Sequence, residues 1–190
     1  MQHNQENNGK DLSDLELMEK IRDPVSKEKG FTLLLRKYQQ KIYWAIRRVV
    51  INHDDADDVI QNVFINVWNG LDTFRGESNL YTWIYRIAVN ESITFIRKKK
   101  NRFFVPWDVV EYRLSKSLAD DNYFRGDEIQ LKLQKAILTL PEKQRIVFNM
   151  RYYDEMPYEE MSKVLETSEG ALKASFHHAV KKVENYLKNG

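Results

Sequence analysis

An all-α fold of two small helical domains joined by a flexible linker is predicted for this chain, and three observations predict it. Apolar residues recur at steps of three and four through most of its length. The pattern stops between residues 105 and 127, where Pro106, Gly126 and the acids Asp108, Glu111, Asp120, Asp121 and Asp127 are scattered, a connector longer than compact helical packing requires. Nothing alternates with the period of two that a half-buried strand needs.

In chain order, residues 1–11 are polar and read as a disordered N-terminus, after which helical periodicity runs from Asp11 to Ile21 through Leu15, Leu17, Met18 and Ile21. It continues from Glu28 to Val50 through Phe31, Leu34, Leu35, Tyr38, Ile42 and Ile46. From Asp57 to Trp68 the apolar set Val59, Ile60, Val63, Phe64, Val67 and Trp68 lies opposite Asp57, Asp58, Gln61, Asn62, Asn66 and Asn69, so one face is core and the other wet. The next helical pattern turns Leu80, Trp83, Ile84, Ile87, Ala88, Phe95 and Ile96 inward. It leaves Thr82, Arg86, Asn90, Thr94 and Arg97 as an outward stripe long enough to lie along a groove. Between these two helices, Phe74-Arg75-Gly76-Glu77-Ser78-Asn79 has the chemistry of a loop that lines a pocket with amides and hydroxyls. Arg97-Lys98-Lys99-Lys100-Asn101-Arg102 then places five positive charges in six residues.

Beyond the linker, periodicity returns at Glu128. Leu140-Pro141-Glu142-Lys143 ends one helix and starts another, since proline suits a first helical turn and glutamate complements its dipole. That helix runs to about Tyr153. A short helix from Pro157 to Leu165, a turn in which Ser168 can cap, and a last helix from Ala171 to about Leu187 follow, the last burying Leu172, Phe176, Ala179, Val180, Val183 and Leu187. Two helices, a tight turn and a cationic second helix make a helix-turn-helix, whose second helix enters the major groove by its N-terminal residues. Those residues are Lys173, Ala174, Ser175, His177 and His178, with Arg151 on the preceding helix in reach of backbone or base.

Composition narrows the function. The 190 residues carry a formal net charge of only +2, so attraction to DNA has to come from local patches, with acidic surface left for another partner. The longest aliphatic run, Val49-Val50-Ile51, is far short of a membrane span, and MQHNQENNGK lacks the apolar stretch of a secretory signal, which leads us to expect a cytoplasmic protein without membrane insertion. With no cysteine there is no disulfide and no thiolate metal site. The seven glycines make no phosphate loop, His3, His53, His177 and His178 make no ligand set, and no nucleophile motif is present, so neither enzyme, metal nor cofactor is expected. His177 and His178, being adjacent on a helix, point about 100 degrees apart and make a poor zinc pair.

FRGESNLYTWIYRIAVN, LPEKQR and PYEEMSKVLETSEGALK together resemble the extracytoplasmic-function (ECF) branch of the sigma-70 family of bacterial RNA polymerase initiation factors, over about residues 12 to 188. The resemblance implies a region 2 over 12–104, a linker over 105–127 and a region 4 over 128–190, the latter a four-helix, winged-helix-like helix-turn-helix. By position it implies core-polymerase binding by Asp58, Gln61, Asn62 and Asn66, against the clamp helices of the largest subunit, with many relatives carrying glutamate where Asn62 stands. It implies a flipped base of the minus-ten element held by the segment from Phe74 to Tyr81, through Phe74, Arg75, Gly76, Ser78, Asn79 and Tyr81. Neighbouring bases would meet Asn90 and Thr94, and Arg86, Arg97, Lys98 and Lys99 would meet the backbone.

For the minus-thirty-five element the resemblance implies Arg151, Lys173, Ala174, Ser175, His177 and His178. Relatives often have arginine at the positions of Ser175, His178 and Val180; its lack here implies a different sequence preference and weaker backbone attraction. The implied partners are core polymerase (clamp helices and flap), promoter DNA and an anti-sigma factor, with nucleoid association through the polymerase. The other reading from the residues is a stand-alone helix-turn-helix regulator, which predicts a dimer on a palindromic site.

Overall fold

The computed structural model describes residues 12–103 and 128–189, the side chains of 100–103 excepted, so the expected disordered N-terminus and the linker lie outside the described residues. The described residues form α1 (Asp14–Arg22), α2 (Lys27–Val50), α3 (His53–Gly70), a single 3-10 turn (Leu71–Thr73), α4 (Leu80–Phe103), α5 (Glu128–Leu138), α6 (Glu142–Tyr152), α7 (Tyr158–Leu165) and α8 (Glu169–Asn189). No strand occurs among them, so the likeness of the C-terminal helices to a winged helix stops short of a wing.

Side chains at the starts of these helices satisfy amide groups that have no intrahelical partner. Ser13 and Glu16 cap α1 reciprocally, the Glu16 carboxylate accepting from the Ser13 amide at 2.7 Å. Asn52 accepts from the Asp55 amide at 3.0 Å, Asn79 from the Thr82 amide at 2.7 Å, and Ser168 from the Ala171 amide at 3.4 Å. Pro141 and Pro157 both stand at N-cap positions, one residue before the first-turn place expected for them.

Helices α1 to α4 pack around Leu34, Ile42, Ile46, Val63, Leu80 and Ile84, all essentially without exposure. Gly30 is the contact point of α1 and α2: a Cβ there would lie 2.9 Å from Ile21 Cγ1, 3.0 Å from its amide nitrogen and 3.1 Å from the Lys20 carbonyl carbon. Gly30→Ala is therefore expected to destabilise by about 1–3 kcal/mol, because overpacking against backbone outweighs the gain of about 1 kcal/mol in helix propensity. A thermal melt that rises for this variant would show that α1 can slide away.

The two groups of helices share one apolar core. Ile146, Val147, Met150, Met156, Met161, Val164 and Leu172 belong to the same buried cluster as the side chains of α2, α3 and α4, while Ala136, Ile137, Leu140, Phe148, Ala179 and Val183 form a second cluster within the C-terminal helices. α2 touches α6 and α4 touches α7. At the turn between α2 and α3, Ile51 adopts φ 67°, an unfavourable conformation for a β-branched residue, and its side chain is buried against Leu138 and Leu131 of α5. The expectation of two units connected through a tether thus leaves out their direct packing.

Candidate nucleic-acid interface

α3 keeps its polar face outward as its periodicity dictates. Asp58, Gln61, Asn62 and Asn66 are exposed, with the large apolar side chain of Ile65 among them at 57% exposure. Asn66 donates to Glu91 of α4 at 2.9 Å, so that member is partly engaged within the chain. Ile65 was absent from the expected set, although its position between Asn62 and Asn66 was a signal; an apolar side chain on a wet face is the kind a protein partner covers.

The loop after α3 does form a cavity, of about 500 Å³, lined by Thr73, Phe74, Arg75, Glu77, Ser78, Thr82, Trp83, Arg86 and Lys163. Phe74 lies 5.0 Å from Trp83 between ring centroids, tilted by 43°, giving a half-buried aromatic wall beside hydroxyls and cations. Gly70 makes room for that wall, since a Cβ on it would come within 2.9 Å of the Trp83 ring. Gly76 turns the loop with φ 75°, a left-handed conformation that suits glycine.

Not every expected member of this pocket reaches it. Asn79 spends its side-chain oxygen as the cap of α4, and neither it nor Gly76 lines the cavity. Tyr81 packs away from it, 5.8 Å from Tyr38 and 5.7 Å from Tyr85 between centroids, and burial pushes its hydroxyl above the usual tyrosine range. Lys163, which does line the cavity, comes from α7, in the other helical unit, and no local pattern marked it.

Along α4 the outward stripe is largely as its spacing predicts, with Arg86, Asn90, Thr94, Arg97, Lys98 and Lys99 exposed. Thr82 departs from it: it is 2% exposed because α7 covers it, and its hydroxyl donates to Glu160. Arg86 pairs with Glu166, and Arg97 with Glu142 at 2.7 Å. Lys99 holds both Asp55 oxygens, at 2.8 and 2.6 Å, which ties the end of α4 to the start of α3. A second cavity of about 430 Å³ runs between α4 and the C-terminal helices, with Arg86, Asn90 and Arg97 on one wall and Glu142, Glu166 and Ser175 on the other.

The deepest polar contact between the two units is centred on Asp154, in the turn between α6 and α7. It accepts from Arg48 of α2 and from the Tyr85 hydroxyl of α4 at 2.6 Å. Burial raises its carboxyl above the ordinary range against the pull of Arg48 and Tyr85, and burial followed by the Asp154 charge pushes Tyr85 well up. Asn149 adds a bond to the Arg48 carbonyl at 3.3 Å.

In α8, Lys173, Ala174, His177 and His178 are exposed and Ser175 is half-buried against the groove. The rings of His177 and His178 are 6.1 Å apart, and no group of three metal-ligating side chains is found among the described residues. Arg151 is less free than the sequence implied: it donates to the Glu155 and Met156 carbonyls at 3.3 Å and lies over the Tyr158 ring at 5.3 Å. It braces the turn that presents α7 and α8. The exposed N-terminal half of α8 and the cavity beside α4 are thus two separate surfaces, a polar helix face and an aromatic-walled cavity.

Comparison with known proteins gives these surfaces a context. Residues 34–102 match the model of sigma-70 region 2, and residues 130–183 match that of sigma-70 region 4. The chain is 28% identical to the ECF RNA polymerase sigma-E factor of Haemophilus influenzae over 184 residues, covering 93% of this chain and 96% of that protein. It is also 28% identical to the ECF RNA polymerase sigma-E factor of Escherichia coli over 182 residues, covering 92% and 94%. Among solved structures, its fold resembles that of the sigma factor RpoE in complex with the anti-sigma factor NepR from Bartonella quintana, with a TM-score of 0.66, 20% identity, and 85% and 98% of the two chains covered. It likewise resembles CnrH in complex with the cytosolic domain of CnrY, with a TM-score of 0.65, 19% identity, and 92% and 94% covered.

Proposed function

Because the chain belongs to the sigma-70 family, in its ECF branch, we propose that it binds core RNA polymerase through the exposed face of α3, holds a minus-ten base in the Phe74–Trp83 cavity and reads the minus-thirty-five element with α8. It is an RNA polymerase sigma factor, acting in promoter recognition and melting. The observation that carries the assignment of surfaces is the cavity itself: an aromatic wall with hydroxyls and Arg75 at its rim, opening beside the exposed Arg86. Extruding a base costs a few kcal/mol, and stacking on an aromatic recovers about 1–3 kcal/mol per base. The chain contributes binding energy and positioning; the polymerase carries out bond formation.

Core polymerase and promoter DNA are its partners in this reading, with Asp58, Gln61, Asn62, Ile65 and Asn66 on the polymerase side. An anti-sigma factor is a further partner in this reading, since a sigma factor of similar fold, RpoE of Bartonella quintana, is known in complex with the anti-sigma factor NepR. No helix among the described residues is long and apolar enough to cross a membrane. The test is transcription from a fragmented genomic library by core polymerase with and without the purified chain. New RNA starts sharing two upstream elements are expected; DNA binding without core-dependent starts would favour a stand-alone regulator instead.

Asn90 is exposed on α4 and lines the groove, so Asn90→Ala should spare the fold. The variant is expected to bind core polymerase as the wild type does and to reduce permanganate reactivity of the minus-ten thymines about tenfold, the effect of losing one good base contact. Unchanged reactivity would remove Asn90 from the reading surface.

A further inference from the structure

One wall of the base-holding cavity is delivered by the 3-10 turn, and that turn is tied to a distant helix. Phe74 follows the turn at once, its amide donating to the Leu71 carbonyl at 3.2 Å, and the Thr73 hydroxyl donates to the Gly70 carbonyl at 2.9 Å. Asp72, in the middle of the turn, accepts from the Lys27 ammonium with both carboxylate oxygens at 2.8 Å. Lys27 is the first residue of α2, 45 positions away in sequence. Its ammonium also lies 5.1 Å from the centre of the Trp68 ring of α3, which Phe31 of α2 meets edge-on at 4.9 Å. None of Lys27, Phe31, Trp68 and Asp72 lines the cavity itself. From Arg75 to Glu77 the loop is exposed, and its far end is fixed by the Asn79 cap of α4.

We propose that Lys27 and Asp72 are positioning residues of the minus-ten pocket: their ion pair clamps the turn against α2 and α3, so that the Phe74 ring stands beside Trp83 before a base arrives. The inference rests on the assignment of the cavity as the base site. Trp83 is placed by α4, with Gly70 so close that a Cβ there would lie 2.9 Å from its ring, whereas Phe74 is placed by the turn. A turn released from α2 shifts one ring relative to the other. A wall already formed spares the strand the cost of ordering it. The Asp72 side chain is 69% exposed and that of Lys27 26%, and exposed ion pairs contribute little to global stability. Loss of the pair therefore acts on the loop and leaves the core alone. The sign of the effect is also diagnostic. Taken as a charge, Asp72 repels a nucleic-acid strand, so it favours capture only through the geometry it imposes.

The test uses holoenzyme assembled from core polymerase and the full chain, with a labelled single strand carrying the minus-ten sequence mapped in the transcription experiment. Asp72→Ala is expected to weaken capture about threefold to tenfold, as the fraction of chains with a formed wall falls, even though one acid fewer repels the strand. Lys27→Met, which keeps an apolar stem for Trp68, should weaken it by a similar factor. Lys27→Glu combined with Asp72→Lys restores the pair in reverse and should recover most of the wild-type affinity. In a Phe74→Ala background, Asp72→Ala is expected to change affinity by less than about twofold, because a residue that acts through a ring loses its effect with that ring. Affinity for core polymerase should match the wild type throughout. Unchanged or tighter capture by Asp72→Ala would overturn the proposal, as would an equal loss without Phe74 or a parallel fall in polymerase affinity. A reversed pair as weak as the single variants would show that the carboxylate serves the turn itself, and would overturn it too. If Phe74→Ala captures the strand as the wild type does, the assignment of the cavity fails; if Phe74→Ala is weakened while Asp72→Ala is not, only the clamp fails.

Discussion

Asp154→Ala is expected to destabilise the packed chain by about 3–5 kcal/mol, the usual consequence of leaving a buried charge without its partner. The carboxylate side chain is 9% exposed and that of Arg48 is 16% exposed, so little water is at hand to replace the contact. The variant also strands the Tyr85 hydroxyl, whose residue is 2% exposed. Removing the pair as a whole should behave differently. Burial raises the Asp154 carboxyl even beside Arg48, and the attraction within a buried ion pair generally does little more than offset the desolvation of its two charges. Arg48→Met, Tyr85→Phe and Asp154→Leu combined are therefore expected to fall within about 1 kcal/mol of the wild type, or above it. Urea denaturation followed by circular dichroism measures both. A loss below about 1 kcal/mol for Asp154→Ala would show that Arg48 swings out to solvent along its position over the Tyr153 ring, 5.1 Å away.

Phe74→Ala is expected to weaken capture of the minus-ten strand by the assembled holoenzyme by about 1–3 kcal/mol, one order of magnitude or more in affinity. Phe74 follows the 3-10 turn and is half-buried on an otherwise exposed loop, so its loss creates no core cavity. What disappears is one of the two rings of the wall, at 5.0 Å from Trp83. A base that has left the helical stack has already lost its neighbours' stacking, and the aromatic surface is what replaces it. Phe74→Trp is expected to retain most of the affinity and Phe74→Leu to lose it, because an aliphatic side chain supplies apolar area without a π-face. Anisotropy of a labelled strand at fixed salt measures the series. Equal affinities for Phe74→Ala and the wild type would place the flipped base elsewhere.

The helices themselves were legible from spacing. Ser168 as a cap, the wet face of α3 and the inward faces of α4 and α8 all follow from a period of 3.6 and from the chemistry of helix ends, which are properties of neighbouring residues. The loop at Phe74 was legible as a pocket from its own residues, an aromatic, an arginine and small polar groups in one short run, of which Phe74, Arg75, Glu77 and Ser78 line the cavity. Two of the departures come from tertiary packing and one from the chain's own turn. Thr82 fits an outward stripe by periodicity and is buried because α7 lies on it; Tyr81 sits next to the loop in sequence and turns into the Tyr38–Tyr85 stack. Arg151 looks like a free cation at a helix end and is drawn back onto carbonyls of its own turn.

Local pattern, then, determined that this chain is helical, which segments form its helices to within a turn, which faces are apolar, and that a pocket-forming loop and a helix-turn-helix lie on one polypeptide. Its motifs were sufficient to place it in its family. Which charges meet was decided by tertiary structure alone. Glu142 reads in sequence as an acid that complements a helix dipole, and nothing local singles out Glu166 or Asp154, yet they pair with Arg97, Arg86 and Arg48 across 45, 80 and 106 positions of chain. Periodicity describes a helix against its own axis and carries no information about which other helix will cover it. That choice is made by the shape and apolar area of whole faces once they form. The long-range ion pairs, the Lys163 wall of the cavity and the covering of α4 are consequences of that choice.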